Sequence, residues 1–251
     1  MDPKLAAAAL FLPLFPLTIL FNILFEGVRH FAARIVVLLA WPQIGVWLIQ
    51  QAEGPVPGWM AGLALATSLL YGFRAVVLRE LIHWISFLAV SSWTLFWVAA
   101  GAFEGENTLA LLAFGSSIPL VILVILGRHL EKQFGASYAG LYNGLGNTMP
   151  RFSGLLVFAI LAVVATPVFP GFVTMTAAFL VTSSIGFWGT LNLCLICLTW
   201  AWAAARLIQG FVVGTSEHEE TEDLSLATTW IHAAVLTGLA VFGILMMSQL
   251  S

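Results

Sequence analysis

Long apolar segments, each sufficient to cross a lipid bilayer, follow one another along this chain with the charged residues gathered between them. Apolar residues make up 61% of the 251 residues, and Asp, Glu, Lys and Arg make up 8%, about a third of the share found in soluble domains. This excludes a water-soluble globular protein and leaves no room for an extramembrane enzyme domain. The chain is therefore predicted to be an all-α polytopic membrane protein, not an enzyme. A net charge of −3 without a basic run gives no reason to expect nucleic-acid binding.

The segments predict about eight transmembrane helices in a single membrane domain over residues 1–251. Seven are predicted as continuous, over residues 5–26, 31–50, 57–76, 81–102, 107–127, 187–211 and 226–248. The eighth region, 152–186, is interrupted near Pro167 and Pro170. Its two pieces of about 14 residues are each shorter than the roughly 17 that span a bilayer, and proline blocks helix continuation. The region is either one discontinuous helix or two short spans.

The basic residues indicate an orientation. With one discontinuous helix, Lys4 stands alone on one side and the others share the opposite side, namely Arg29, Arg34, Arg74, Arg79, Arg128, Lys132, Arg151 and Arg206. The positive-inside tendency then predicts both termini outside, most naturally in a bacterial inner membrane. Counting two short spans moves only Arg206, so charge alone leaves both alternatives open. The acidic run Glu217, Glu219, Glu220, Glu222 and Asp223 is interpreted as a solvated loop. Tryptophans such as Trp59, Trp84, Trp93 and Trp97 are predicted to lie at the membrane interfaces.

The segment from Tyr142 to Phe152, Y-N-G-L-G-N-T-M-P-R-F, is followed after an apolar helix by Pro167 and then by Pro170, Gly171 and Phe172. This order resembles the Y-G-G-L-x-x-x-M-P … L-P … G-F signature of the antiporter-like subunits of respiratory complex I, multisubunit cation/proton antiporters and proton-driven inorganic-carbon uptake systems. The segment L-R-E-L-I-H-W-I-S at 78–86 is similar to the family's D-x-K-R-L-I-A-Y-S-S, and Arg206, Phe211 and Gly214 are similar to a later R-x-x-x-x-F-x-x-G.

The resemblance covers residues 70–215, with a weak match over 1–70 and an acidic loop and last helix over 216–251. Members of the family have about fourteen core helices in two inverted repeats. The resemblance therefore implies the C-terminal half of an antiporter-like subunit, with the first repeat expected to be absent. Discontinuous helices in transporters line ion and substrate sites, which is consistent with such an origin.

The family's proton relay is carried by buried lysines, histidines and a carboxylate, and the resemblance implies that these groups are lost here. The lysine of D-x-K falls on Arg79, whose guanidinium does not release a proton under ordinary conditions. The H-x-x-x-K pair falls on Gly115 and Pro119, and the charged residue after the G-F pair falls on Met175. Apart from Lys4 and Lys132, the chain contains no lysine.

Four remaining ionisable residues form a candidate ion path: Arg79, Glu80, His83 and His232. The i, i+4 spacing predicts that Arg79 and His83 share one helix face, while Glu80 pairs locally. Two interpretations compete with an ion path. Arg79, Glu80 and His83 would form only an ion cluster at the membrane rim, and His232 would have only a packing role. No metal-ligand cluster or cofactor motif is present; Cys194 and Cys197 are interpreted as packing residues in an apolar helix.

Two functions remain open. The first is a non-catalytic accessory subunit of a multisubunit proton- or ion-translocating complex, with no cofactor of its own. Its expected partners are lipid, other membrane subunits including a larger antiporter-like homologue, and a cytoplasmic soluble subunit that could carry zinc. The alternative is an active proton- or bicarbonate-coupled transporter subunit that uses the candidate ion path. A scaffold unrelated to ion transport is a weaker third interpretation, against which the broken helix argues.

Overall fold

The computed structural model describes residues 2–28, 30–103, 105, 107–141, 143–214 and 222–250. Arg29, Tyr142 and the acidic residues Glu217, Glu219 and Glu220 lie outside this range. The described residues form twelve α-helices and no strand: α1 Pro3–Phe11, α2 Thr18–Gly27, α3 Phe31–Gln50, α4 Gly58–Ala75, α5 Leu81–Trp93, α6 Phe96–Ala99, α7 Thr108–Phe134, α8 Leu145–Thr148, α9 Pro150–Val163, α10 Pro170–Ile185, α11 Phe187–Val212 and α12 Leu226–Met247.

Within the described ranges, five helical segments are long and apolar enough to cross a membrane: α3, the segment Leu81–Ala102 that contains α5 and α6, α7, α11 and α12. The shorter helices α2 and α9 are also apolar. The chain is an integral membrane protein with a helical membrane domain.

The interruption predicted in the region 152–186 is confirmed. Helix α9 ends at Val163 and α10 begins at Pro170, because Pro167 and Pro170 lack the backbone N–H that a continuing helix requires. The turn between the two helices places Ala165 and Val168 at φ values of 54° and 82°, a left-handed conformation that is uncommon for residues other than glycine.

The first segment differs from the prediction of one continuous helix over 5–26. It consists of α1 and α2, separated by a non-helical segment that contains Pro13 and Pro16. The same absence of a backbone donor breaks the helix here. Because α1 packs on α3 while α2 packs on α5, the break lets one short segment cover two different helices.

Helix α5 lies at the centre of the bundle, in contact with α2, α4 and α7. Eleven of its residues are buried, including Trp84 and Trp93, and Trp97 follows in α6 with only 1% exposed. The predicted interfacial positions of these three tryptophans are therefore wrong. Trp59 is exposed, as an interfacial position would require. The prediction relied on the closeness of these tryptophans to helix ends. That closeness does not indicate exposure here, because neighbouring helices surround α5.

One end of the bundle, here called the basic end, contains the start of α5 and the end of α7. Ala139 N donates to Arg79 O at 2.8 Å, and Gly140 N donates to Gly210 O at 2.8 Å, which brings the loop after α7 against α5 and α11. Lys4 lies elsewhere, where its Nζ donates to the carbonyl of Gln51 at the opposite end of α3. Arg79 and Arg206 line one groove at the basic end, and Arg128 and Lys132 line another. Arg151 donates to Leu224 O in the lining of the second groove, and Arg74 lies in the last turn of α4.

Candidate functional site

A cluster of three ionisable side chains lies at the basic end, centred on His83. His83 Nδ1 is 2.8 Å from Glu80 Oε2, and His83 Nε2 is 3.3 Å from Glu26 Oε2. Glu80 is the residue immediately before α5, and Glu26 lies in the last turn of α2. The three side chains are between 31% and 42% exposed, so water screens them and each pair contributes at most about 1 kcal/mol to stability. The cluster thus brings two carboxylates to the two ring nitrogens of one imidazole.

Arg79 does not join this cluster. Helix α5 begins at Leu81, so Arg79 precedes the helix and the predicted shared face with His83 does not form. The exposed Arg79 instead lines a groove of about 260 Å³ together with Arg206 and Gln209. The local pairing of Glu80 with His83 is present as predicted.

His232 lies apart from the other three candidates. Its Nδ1 is 2.7 Å from the carbonyl oxygen of Thr228 one turn earlier in α12. It lines a groove with Arg128 and His129, and no contact joins it to His83 within the described part of the chain. The four candidate residues therefore lie in three separate places of the described structure.

The turn of the broken helix packs tightly against α7 and α12. A Cβ on Gly243 of α12 would lie against Val168 O and 2.9 Å from the carbonyl carbon of Phe169, closer than real Cβ atoms come. A Cβ on Gly115 of α7 would lie 3.0 Å from both Phe242 and Pro170. One side of the turn thus packs against α7 and α12, while Pro167 and Val168 are exposed on the other side.

Three of the four positions that the resemblance aligns with the family's relay lie in the packed interior, whereas the fourth, Arg79, is exposed. Gly115 and Pro119 lie on α7 and are buried, and Met175 on α10 is 3% exposed. Phe242 and Pro170 occupy the space beside Gly115. A cavity of only about 10 Å³ lies beside Trp200 and is lined in part by Ser92, Ser116 and Thr174. This volume has room for about one water molecule.

Among the described residues, the buried polar side chains are all serine, threonine or asparagine, and no Asp, Glu, Lys, Arg or His is buried. Several of these side chains bond to one another across helices. Ser68 and Ser91 each donate to the other's carbonyl at 2.7 Å, and Trp200 Nε1 donates to Ser91 Oγ at 2.8 Å. Ser86 Oγ donates to Asn22 Oδ1 at 3.0 Å. These bonds connect α4, α5 and α11, and α2 with α5.

One acidic residue has a role that sequence reasoning missed. The carboxylate of Asp223 accepts hydrogen bonds from the backbone N–H groups of Arg151 and Phe152, at 2.9 and 3.0 Å. These donors lie in the first turn of α9 and have no partner within that helix. Asp223 therefore caps the broken helix from 72 positions away. No local pattern could reveal this, because the cap lies on a different segment from the helix it serves.

Sequence reasoning also missed the contact of Glu26 with His83 and the Ser68–Ser91–Trp200 bonds. Polar residues within apolar helices indicate that hydrogen bonds between helices are present. They do not identify the partners, which depend on how the helices pack. No group of three or more His, Cys, Asp or Glu side chains with metal-binding geometry occurs within the described ranges.

No protein-family model matches the sequence, and no curated protein sequence does. The structure is similar to chains of three solved membrane assemblies. They are respiratory complex I from Thermus thermophilus (TM-score 0.74, 19% identity), the Mrp complex from Dietzia sp. DQ12-45-1b (TM-score 0.79, 14% identity) and a membrane-bound sulfane sulfur reductase, described as an archaeal respiratory membrane complex (TM-score 0.75, 16% identity).

Each similarity covers 98% of this chain but only 57%, 57% and 53% of the matched chain, respectively. The chain thus spans little more than half the length of the structures it matches. Identities this low establish the fold and not the activity. The chain has the fold of the antiporter-like membrane subunits, as the resemblance in its motifs predicted.

Proposed function

We propose that this chain is an accessory membrane subunit of a multisubunit proton- or ion-translocating complex, and that it does not itself pass protons. One observation carries the proposal: among the described residues, no Asp, Glu, Lys, Arg or His side chain is buried in the bundle. Ionisable groups inside a membrane domain are expensive and are retained where they move charge. An interior without them supports a structural role for a fold that elsewhere belongs to respiratory and Mrp complexes.

The packing around the broken helix supports the same proposal. A proton has to cross about 30 Å of hydrocarbon, which requires a row of exchangeable groups or a continuous file of water. The cavity beside Ser116 and Thr174 has room for about one water molecule. The hydroxyls of Ser68 and Ser91 are committed to each other's carbonyls, so they contribute to helix packing.

The partners proposed for this subunit are other membrane subunits, including a larger antiporter-like homologue, and a soluble subunit that could carry zinc. A large apolar surface remains for lipid and for such neighbours: the α12 segment is only 17% buried within the chain, and the α3 segment 28%. We further propose that the basic end faces the cytoplasm of a bacterial inner membrane, following the positive-inside tendency.

Reconstitution tests the proposal directly. Liposomes that contain the purified chain, with a potassium diffusion potential and a trapped pH-sensitive dye, should acidify no faster than empty liposomes. An added protonophore provides the positive control. Proton flux that scales with the amount of protein would overturn the proposal.

Native mass measurement after mild detergent extraction tests the accessory role. We expect the chain to emerge in a stoichiometric assembly with other polypeptides. Recovery of the chain alone, as a monodisperse particle from its native membrane, would contradict membership of a complex while leaving the flux result intact.

The active-transporter alternative draws its support from the cluster of Glu26, Glu80 and His83. If the assembled complex translocates protons through this chain, His83→Gln, Glu80→Gln or His232→Gln should each lower its flux severalfold. His30→Gln is the matched control, because His30 is exposed and makes no side-chain cap bond at the start of α3. Unchanged flux in all four variants would eliminate this alternative.

A further inference from the structure

A groove of about 380 Å³ at the basic end lies where α3, α7 and α12 meet, and is here called the basic groove. It combines the polar side chains Arg128, His129, Lys132 and His232 with apolar walls that include Phe31 and Ile125. Arg128 and Lys132 lie one turn apart on α7, so their charges stand on the same side of that helix. The groove has no role in the proposed function above.

Within the described part of the chain, no carboxylate forms an ion pair with Arg128 or Lys132. The described side-chain contact of Arg128 is with the Phe31 ring, 4.4 Å from its centroid, a cation–π contact that fixes the guanidinium without satisfying its donors. Glu131, the one acidic residue on α7, is near Ser137 Oγ at 3.4 Å. It does not line the basic groove.

The acidic residues described just before α12 also lie outside the groove lining. Asp223 is occupied by the backbone of α9, and Glu222 is exposed. A ligand in the basic groove therefore meets two permanent positive charges without a competing carboxylate among its described lining residues.

Two further features of the groove are consistent with an anionic ligand. The Nε2 atom of His129 is buried and has no hydrogen-bond partner in the described structure, while its ring stacks on Phe152. Helix α12 begins at the groove, where Ser225 caps only the N–H of Thr228. The first N–H groups of a helix lack partners within it and attract phosphate oxygens.

The surroundings of the basic groove are apolar and exposed. Leu226, Trp230 and Ile231 in the first two turns of α12 are between 59% and 71% exposed, as expected for side chains in contact with acyl chains and the interface. A ligand that fits here has an anionic head and an apolar body.

We propose that the basic groove binds the phosphate of an anionic phospholipid, with Arg128 and Lys132 as its principal charged contacts. The guanidinium supplies paired N–H donors to phosphate oxygens and the ammonium adds a second charge. The acyl chains lie along the exposed apolar face of α12. Such a lipid fills the junction of α3, α7 and α12 at the basic end.

The test uses the purified full-length chain, delipidated in a maltoside detergent and mixed with phosphatidylglycerol or phosphatidylcholine before native mass measurement. Wild-type protein should retain phosphatidylglycerol in preference to phosphatidylcholine. Arg128→Gln and Lys132→Gln should each weaken that retention about fivefold, the effect expected for one basic residue at an anionic surface. Lys132→Arg should retain it.

Arg74→Gln is the matched control. Arg74 is also an exposed arginine at this end and also contacts an aromatic ring, that of Phe87, at 5.2 Å, but it does not line the basic groove. Unchanged phosphatidylglycerol retention in both groove variants would overturn the proposal, as would equal loss in the Arg74 variant. Displacement of the lipid by millimolar inorganic phosphate would show that the site takes a free anion and would refute the lipid assignment. None of these outcomes depends on proton flux.

Discussion

Substitution of a single glycine should reveal how tightly the last helix holds the broken helix. Gly243 packs against the turn at Val168 and Phe169, and a Cβ there would lie closer to Val168 O and to the Phe169 carbonyl carbon than real Cβ atoms come. Gly243→Ala therefore forces the α12 backbone away from the turn or displaces the turn itself. Overpacking of this kind costs about 1–3 kcal/mol.

Gly238→Ala is the control variant, because it changes helix propensity without adding a close contact. Gly238 lies in the same helix, and no atom lies within 4 Å of the position that its Cβ would take. Both substitutions gain about 0.5–1 kcal/mol of helix propensity because alanine has less backbone freedom to lose than glycine. The difference between the two variants should therefore equal the packing cost alone, with Gly243→Ala less stable by about 1–3 kcal/mol.

The assay is thermal unfolding of both variants in the same detergent, followed by circular dichroism. A difference of 1 kcal/mol corresponds to roughly 2–4 °C in Tm for a chain of this size. We expect Gly238→Ala to melt at or above the wild-type temperature and Gly243→Ala several degrees below Gly238→Ala. Equal melting temperatures for the two variants would refute the close approach of α12 to the turn.

Three other substitutions test separate parts of the structure. In the same melting assay, Asp223→Ala should lower stability by about 1 kcal/mol, because α9 loses its N-terminal cap, whereas Glu222→Ala should have little effect. Ser91→Ala should cost about 1–3 kcal/mol, because it leaves the buried Nε1 of Trp200 without its acceptor; Ser92→Ala, which removes a bond within its own helix, is the control. Hydrogen bonds from the backbone of Lys4 and Glu53 lower the pKa of Asp2 below 3.8, so its stabilising contribution is present above that value and is lost as the pH falls through the lowered pKa. Asp2→Asn should therefore reduce the acid sensitivity of hydrogen exchange at the Glu53 amide.

Each of these predictions has a result that would contradict it. Equal melting of the Asp223 and Glu222 variants would remove the capping role, and equal melting of the Ser91 and Ser92 variants would remove the interhelical bond. Acid-dependent exchange at Glu53 that persists unchanged in Asp2→Asn would assign that pH dependence to another group.

Local chain chemistry was sufficient to predict the break between α9 and α10. Pro167 and Pro170 divide that region into pieces too short to span, so both proline and length indicate an interruption. Pro13 and Pro16 carry the same information in the first segment, but 5–26 is long enough to span as one helix, and its length favours a continuous helix. The structure indicates that proline is the stronger signal in both places.

The pairing of Glu80 with His83 followed from their spacing, whereas the contact of His83 with Glu26 joins residues of different helices. Spacing also placed Arg79 on the helix, and the helix begins two residues later. A sequence predicts neighbours along a helix, but helix boundaries and the faces that meet across the bundle depend on packing. The burial of Trp84 and Trp93 depends on packing in the same way.

The interior of this bundle is polar although its described part buries no Asp, Glu, Lys, Arg or His side chain, because hydroxyl, amide and indole groups bond to one another there. In hydrocarbon, a hydroxyl or indole N–H needs a partner, and Ser68, Ser91 and Trp200 provide partners for one another. Such bonds favour close helix packing, but a hydroxyl at this depth does not store a proton as a lysine or carboxylate would. We therefore expect Ser91→Ala to lower the stability of the bundle and, if the chain passes no protons as proposed above, to leave the proton permeability of reconstituted liposomes at the level of empty liposomes.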